Sequence, residues 1–353
     1  MESLILEVKD LNISFKIPEG KLNVIRGVSF FLEAGKTLAI VGESGSGKTV
    51  TVRAIMGILA SNEVVESGKI LFRNNNGKNK EIIDLLTLSK KQIVSQICGK
   101  KIAMVFQDPM GTLNPTIQIG KQVMEGMLKH QKLTKKEAFE KALKLLEEVG
   151  ITEAEKRMRN YPHQLSGGMR QRVVIAIALA CNPDVLICDE PTTALDVTIQ
   201  AKILELIQNI QKQRNIGVIY ITHDLGVVAK VADDVVVMYA GKIVEKGSVD
   251  DIFYNPLHPY TRGLLSSVPD IGYNDHELYS IPGSPPNLLE EIKGDAFAPR
   301  NPYALNIDYK YESPMFKITN THSVASWLFH EKAPNIEVYP KLSERIQNEL
   351  RVN

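Results

Sequence analysis

Hydrophobic positions alternate with polar ones over Leu4–Phe15 and again over Val24–Leu32, the two-residue period of half-buried β-strands. Pro18-Glu19-Gly20 lies between them, so the pair reads as an antiparallel hairpin. Thr37-Leu38-Ala39-Ile40-Val41 is different, because its apolar run is unbroken. Such a run suits a strand buried on both faces of a parallel sheet, and it leads into a glycine-rich segment with a helix expected from about Lys48.

Thr134 followed by Glu137 forms a capping box, and Phe139, Leu143 and Leu146 recur at helical spacing up to a stop at Gly150. Residues from about 111 to 171 share this character, which places a helical subdomain between two halves of a sheet. The sheet resumes at Val185–Cys188 and Val218–Ile221, joined by a helix with Ile199, Ile203, Leu206 and Ile210 on one face. Strand, helix, strand implies a parallel crossover. A hairpin over Val235–Val244 turns at Ala240-Gly241. From about Asn255 prolines recur, from Pro256 to Pro286, and the pattern becomes irregular, while Asn74-Asn75-Asn76-Gly77 marks a short turn. The reading is an α/β domain over residues 1–255 and an irregular C-terminal extension over 256–353.

Composition narrows the class. Forty-four per cent apolar and 24% charged residues are globular values, and 42 Lys and Arg against 41 Asp and Glu give no basic face for nucleic acid. Three cysteines, Cys98, Cys181 and Cys188, suit a reducing compartment. With no 18-residue apolar run and no charged-then-apolar leader, the chain is not expected to span a membrane by itself.

Gly42-Glu43-Ser44-Gly45-Ser46-Gly47-Lys48-Thr49 fits the phosphate-loop pattern and lies between a predicted strand and a predicted helix. Glycines let backbone N–H groups converge on phosphate oxygens, Lys48 reaches the β- and γ-phosphates of ATP, and Thr49 offers a hydroxyl to Mg²⁺. Asp189 and Glu190 follow the apolar strand 185–188, at the carboxyl edge where parallel sheets bind ligands. Asp189 is the candidate for Mg²⁺ and Glu190 for the general base. Leu165-Ser166-Gly167-Gly168-Met169 precedes a helix running to about Ala180, with Ser166 as its N-cap.

This last run resembles the signature of ABC ATPases, and the motif order agrees with that family. The resemblance implies a P-loop fold with a RecA-like core, an antiparallel β subdomain and a helical subdomain. It makes Gln107 the Q-loop residue and a further Mg²⁺ ligand, Asp196 the D-loop residue and His223 the switch histidine. Phe15 falls where the family stacks an aromatic on adenine. It also implies two subunits clamping two ATP molecules head to tail, so that residues 165–169 complete a partner chain's site.

Over essentially its whole length the chain resembles the oligopeptide and dipeptide permease ATP-binding subunits of Gram-positive bacteria. The matches include Phe106–Met110, Asp189–Thr198, His223–Val228, His258–Thr261 and Ile281–Leu288. The resemblance implies ATP-driven peptide import by a peripheral subunit on the cytoplasmic face of the membrane. Its implied partners are a second, related ATPase chain, two transmembrane permease subunits and an extracellular peptide-binding protein, with no nucleic acid. Nickel or another small solute as cargo stays open, as does a non-transport ABC ATPase, although the spacing from Lys48 to Ser166 leaves no room for a long coiled coil.

Many relatives in this branch carry four cysteines suited to an iron–sulfur cluster, and here those positions read Asp295, Asn301, Asp308 and Ser326. Clusters need thiolates, so none is expected. Packing around Phe297, Tyr303 and Trp327 is expected to replace the metal as the staple.

Overall fold

The computed structural model describes residues 3–18, 20–74, 81–193, 195–268, 279–290, 292–336 and 338–352. Glu19 of the first turn, Asn75–Gly77 of the Asn-rich turn, Ala194 of the D-loop run and Pro269 lie outside the described residues.

The first hairpin forms as β1 (Leu4–Ile17), which begins where the alternation does and runs past it at the carboxyl end, and β2 (Gly20–Glu33), longer at both ends than the alternation indicated. β4 (Glu63–Asn74) and β5 (Glu81–Asp84) extend it to a four-stranded antiparallel sheet in the order β2-β1-β4-β5. Neither strand shows a clear two-residue alternation in the sequence. Glu66-Ser67-Gly68 interrupts the apolar pattern of β4, and β5 is short and mostly exposed.

The second sheet carries the site. Its order is β11-β12-β10-β9-β3-β8-β7-β6, with β3 (Thr37–Val41), β6 (Ile102–Val105), β7 (Val185–Asp189) and β8 (Gly217–Ile221) buried throughout. β9 (Asp234–Tyr239) joins them in parallel register. One face packs on helices and the other on the antiparallel sheet and the helix Lys48–Met56, which is why these strands are unbroken apolar runs. Because β3, β8, β7 and β6 are consecutive neighbours, their carboxyl ends bring residues 42–49, 222–224, 189–190 and 107 to one edge.

Between β6 and β7 the chain is helical among its regular elements, with main helices Ile119–His130, Lys135–Glu148 and Gly167–Leu179. Thr134 and Glu137 make both bonds of the capping box. The buried face of Lys135–Glu148 is Ala138, Ala142, Leu145 and Leu146, with Phe139 and Leu143 half-buried beside it. The face is therefore centred differently from the expected set, because two alanines allow close approach of neighbouring helices where the larger residues sit at the margin. The crossover helix Val197–Arg214 likewise buries Ile203, Leu204, Ile207 and Ile210, leaving Ile199 and Leu206 partly covered.

β10 (Lys242–Ser248) pairs antiparallel with β9 across the expected Ala240-Gly241 turn. The C-terminal part is more regular than its prolines suggest. β12 (Ser323–Val324) adds to the free edge of β10 and β11 (Phe316–Lys317) follows, while helices Pro259–Ser266 and Pro340–Val352 lie in the same region.

At the four positions where the family resemblance implies cysteine, oxygens accept backbone N–H groups. Asp295 accepts from Phe297, Asn301 from Tyr303, Asp308 from Leu305 and Ser326 from Leu328, at 2.6–3.3 Å. Phe297 is fully buried, and Tyr303 packs on Tyr339 at 5.2 Å. Trp327 belongs to a separate cluster with Phe316 and His330, and its indole donates to Tyr311 O. The expected single staple is thus three ring clusters, around Phe297, Tyr303 and Trp327 in turn. Among the described residues no set of three or more His, Cys, Asp or Glu is arranged to hold a metal.

Candidate nucleotide site

The phosphate loop leaves β3 at Gly42, whose φ is 149°, and a Cβ there would lie 2.1 Å from the carbonyl oxygen of Met238 on β9. Only glycine fits that approach. Gly47, with φ 99°, is the N-cap of the helix Lys48–Met56, so that helix's N-terminus faces the loop and favours an anion. Lys48 folds into the loop, donating from Nζ to the carbonyls of Gly42 at 2.8 Å and Glu43 at 2.9 Å. Burial lowers its pKa, opposed by the carboxylates of Glu190, Asp189 and Glu43. Ser46 Oγ is buried and has no partner among the described residues, an orphan donor that a phosphate oxygen would satisfy. Ser44, Gly45 and Thr49 are exposed to the same opening.

Thr49 Oγ1 lies 3.3 Å from Asp189 Oδ1, across 140 residues of chain. A hydroxyl and a carboxylate oxygen side by side are the hard donors that Mg²⁺ takes together with phosphate oxygens, so the residues fit that ion. Burial raises the pKa of Asp189, and the Thr49 hydrogen bond opposes the shift.

Glu190 has φ 46°, a left-handed conformation uncommon for a side chain of this size. That turn aims its carboxylate along the sheet edge, where Oε2 accepts from Gln107 Nε2 at 3.1 Å and from Thr193 Oγ1 at 3.1 Å. Oε1 lies 3.0 Å from His223 Nδ1. The structure therefore brings together Glu190, Gln107 and His223 as the sequence reading grouped them, and adds Thr193, which that reading did not single out. Its only signal was its place three residues after Glu190.

Ser166 caps the helix Gly167–Leu179 through Met169 N, and Leu165 is buried. A Cβ on Gly168 would meet Ile199 Cγ2 at 2.8 Å, so this glycine lets the signature pack on the crossover helix. Asp196 caps that helix by accepting from Ile199 N at 3.0 Å. No hydrogen bond joins residues 165–169 to residues 42–49 among the described residues, and Ser166 and Gly167 are exposed. Phe15 is half-buried on β1 opposite Leu22, two residues from Ile13. Ile13 pairs with Ile25, the residue that a Cβ on Gly47 would strike.

A phosphate loop, paired carboxylates at a strand end and a helix-capping Ser-Gly-Gly on one mixed sheet define a P-loop ATPase. Residues 12–193 match the family model described as ABC transporter, and residues 244–307 that described as oligopeptide/dipeptide transporter, C-terminal region. The chain belongs to the ABC transporter family, and it binds and hydrolyses ATP. It is 56% identical over 335 residues to the oligopeptide transport ATP-binding protein OppD of Bacillus subtilis, covering 94% of this chain and 91% of that one. It is 52% identical to the dipeptide transport ATP-binding protein DppD of Lactococcus lactis, covering 95% and 94%. Among solved structures, the dimeric ABC transporter cassette MJ0796 superposes with a TM-score of 0.60 at 25% identity, covering 69% of this chain and 98% of that one. A second structure of that cassette is bound to ADP and Pi.

Proposed function

We propose that the chain is the ATP-hydrolysing subunit of an importer for oligopeptides or dipeptides. The observation that carries the chemistry is the Glu190 carboxylate, fixed between Gln107 and His223 beside the Thr49–Asp189 pair. For the cargo, the support is similarity to peptide transport ATP-binding proteins over 94–95% of the chain, the C-terminal region included.

In this reading residues 42–49 hold the phosphates, with Lys48 on the β- and γ-phosphates, and Phe15 stacks on the adenine. Thr49, Asp189 and Gln107 would hold Mg²⁺, which when bound neutralises charge on the phosphates. Glu190 takes the proton of the attacking water, and His223 orients that carboxylate from its other oxygen. The exposed signature, residues 165–169, completes the site of a partner ATPase, and Asp196 lies at the same face. ATP held between two chains favours the closed dimer by mass action, and hydrolysis releases it.

The partner is a related ATPase chain, with two transmembrane permease subunits and, through them, an extracellular peptide-binding protein. No described helix is long and apolar enough to cross a membrane, which suits a peripheral subunit on the cytoplasmic face. Residues 1–255 form the ATPase domain and 256–353 the extension. Affinity purification of the full chain from membranes, with identification of co-purifying subunits, tests this. Two permease chains and a second ATPase are expected, and purification without any membrane subunit would count against it.

A further inference from the structure

The C-terminal region reaches the phosphate loop. Tyr239 at the end of β9, Tyr260 in the helix Pro259–Ser266 and Phe297 form a buried aromatic triangle with ring centroids 4.7–5.3 Å apart. Its packing sets Arg300, in the short turn Ala298–Arg300, against residue 43. Arg300 Nη1 donates to Glu43 Oε2 at 2.7 Å and Nη2 to Oε1 at 3.0 Å, a bidentate pair. Nη1 also reaches Tyr239 Oη at 3.2 Å, and Nε donates to Pro282 O at 2.8 Å. The Arg300 side chain is 6% exposed and that of Glu43 26%. The backbone of the same residue is held too, since Glu43 N donates to Tyr260 Oη at 2.8 Å.

Behind Tyr260 the support continues. Its amide donates to His258 Nδ1 at 3.0 Å, and the amides of Leu257 and His258 donate to the two oxygens of Glu245 at 2.8 and 2.9 Å. Glu245 is in turn 2.7 Å from His322 Nε2, and both side chains are fully buried. A continuous line of bonds therefore runs from His322, beside β12, to the phosphate loop.

Two consequences follow for the loop. The carbonyl of Glu43 accepts from Lys48 Nζ, so whatever fixes residue 43 also fixes the lysine. A carboxylate within an anion-binding loop repels a triphosphate unless a cation neutralises it, and a mostly buried pair is only weakly screened by solvent. We propose that Arg300 is a positioning residue for ATP: by pairing with Glu43 it neutralises and orients the phosphate loop, so that the C-terminal extension sets nucleotide affinity. The proposal rests on the reading that residues 42–49 hold the phosphates.

The test is titration of the full-length chain with a fluorescent ATP analogue, alongside thermal unfolding of each variant. Arg300→Ala should weaken binding by on the order of tenfold, because it leaves Glu43 charged and unpaired. Arg300→Lys should fall between, since an ammonium restores the charge without the two-pronged geometry. The double variant Glu43→Gln with Arg300→Gln removes both charges and should recover part of the loss, binding about threefold or more tighter than Arg300→Ala. Binding by Arg300→Ala within about twofold of wild type would overturn the proposal. So would a double variant as weak as Arg300→Ala, which a purely structural role predicts. If Arg300→Ala does not fold, Arg300→Lys and the double variant carry the same comparison. Lys48→Ala separates the two levels: unchanged binding there overturns the site reading itself, whereas weakened binding there with normal binding by Arg300→Ala overturns only the role of Arg300.

Discussion

Gln107 Nε2 donates to Glu190 Oε2 at 3.1 Å, joining the loop after β6 to the end of β7 across 83 residues of chain. With His223 on the other oxygen at 3.0 Å, the carboxylate is oriented from both sides. Preorientation of this kind acts on the chemical step more than on binding. Glu190→Gln is expected to lower kcat by about 10²–10⁴-fold, the range for loss of a general base, with ATP still bound. Gln107→Ala and His223→Ala should lower kcat by less and leave nucleotide affinity near wild type. Phosphate release measured beside nucleotide titration separates these effects.

The signature makes a structural prediction as well as a functional one. Gly168→Ala places a methyl group 2.8 Å from Ile199 Cγ2, and overpacking of this kind costs about 1–3 kcal/mol. Thermal unfolding should show the loss, and adding Ile199→Ala should recover much of it.

Ser166 and Gly167 are exposed and unbonded to the chain's own phosphate loop, so their damage should be felt by a partner. Ser166→Arg is expected to leave ATP binding to the isolated chain intact while abolishing ATP-dependent dimers of the Glu190→Gln background with the related ATPase chain. Sedimentation with and without ATP checks this, and a stable Ser166→Arg dimer would argue against a shared site.

The sequence made the site legible because its chemistry lies in short runs at the ends of apolar strands: residues 42–49 after β3, 189–190 at the end of β7 and 223 after β8. Each strand is a continuous apolar run that burial on both faces requires, so each motif came with its structural context. What was not legible depends on long-range packing. β6 is only four residues long. β12 is two residues whose strand character comes from the edge of β10 they meet. Thr193 and Arg300 carry no local signature, since their partners are set by a turn at Glu190 and by an aromatic cluster drawn from β9, a helix and the extension. On Lys135–Glu148, Leu146 is buried and Phe139 and Leu143 pack at the margin, while Ala138 and Ala142 take the centre because small residues set close helix packing.

Burial pushes the carboxyl of Asp295 up to about 6, aided by Asp308 and Glu312. A folded-state pKa above the ordinary value favours folding below about pH 4, and that contribution is lost as pH rises through 6. At neutral pH the half-buried charge is therefore a cost. Asp295→Asn keeps the acceptor for Phe297 N and should stabilise the protein by roughly 1–2 kcal/mol at pH 7.5, with the gain vanishing near pH 4. Thermal melts of both forms across that range provide the check.

We propose that hydrolysis at Glu190 drives peptide uptake. The most direct measurement is uptake of a radiolabelled oligopeptide by cells in which Glu190→Gln replaces the native chain, at equal membrane abundance of the subunit. Uptake is expected to fall to background while the variant stays with its membrane partners. Uptake at the wild-type rate would contradict the account.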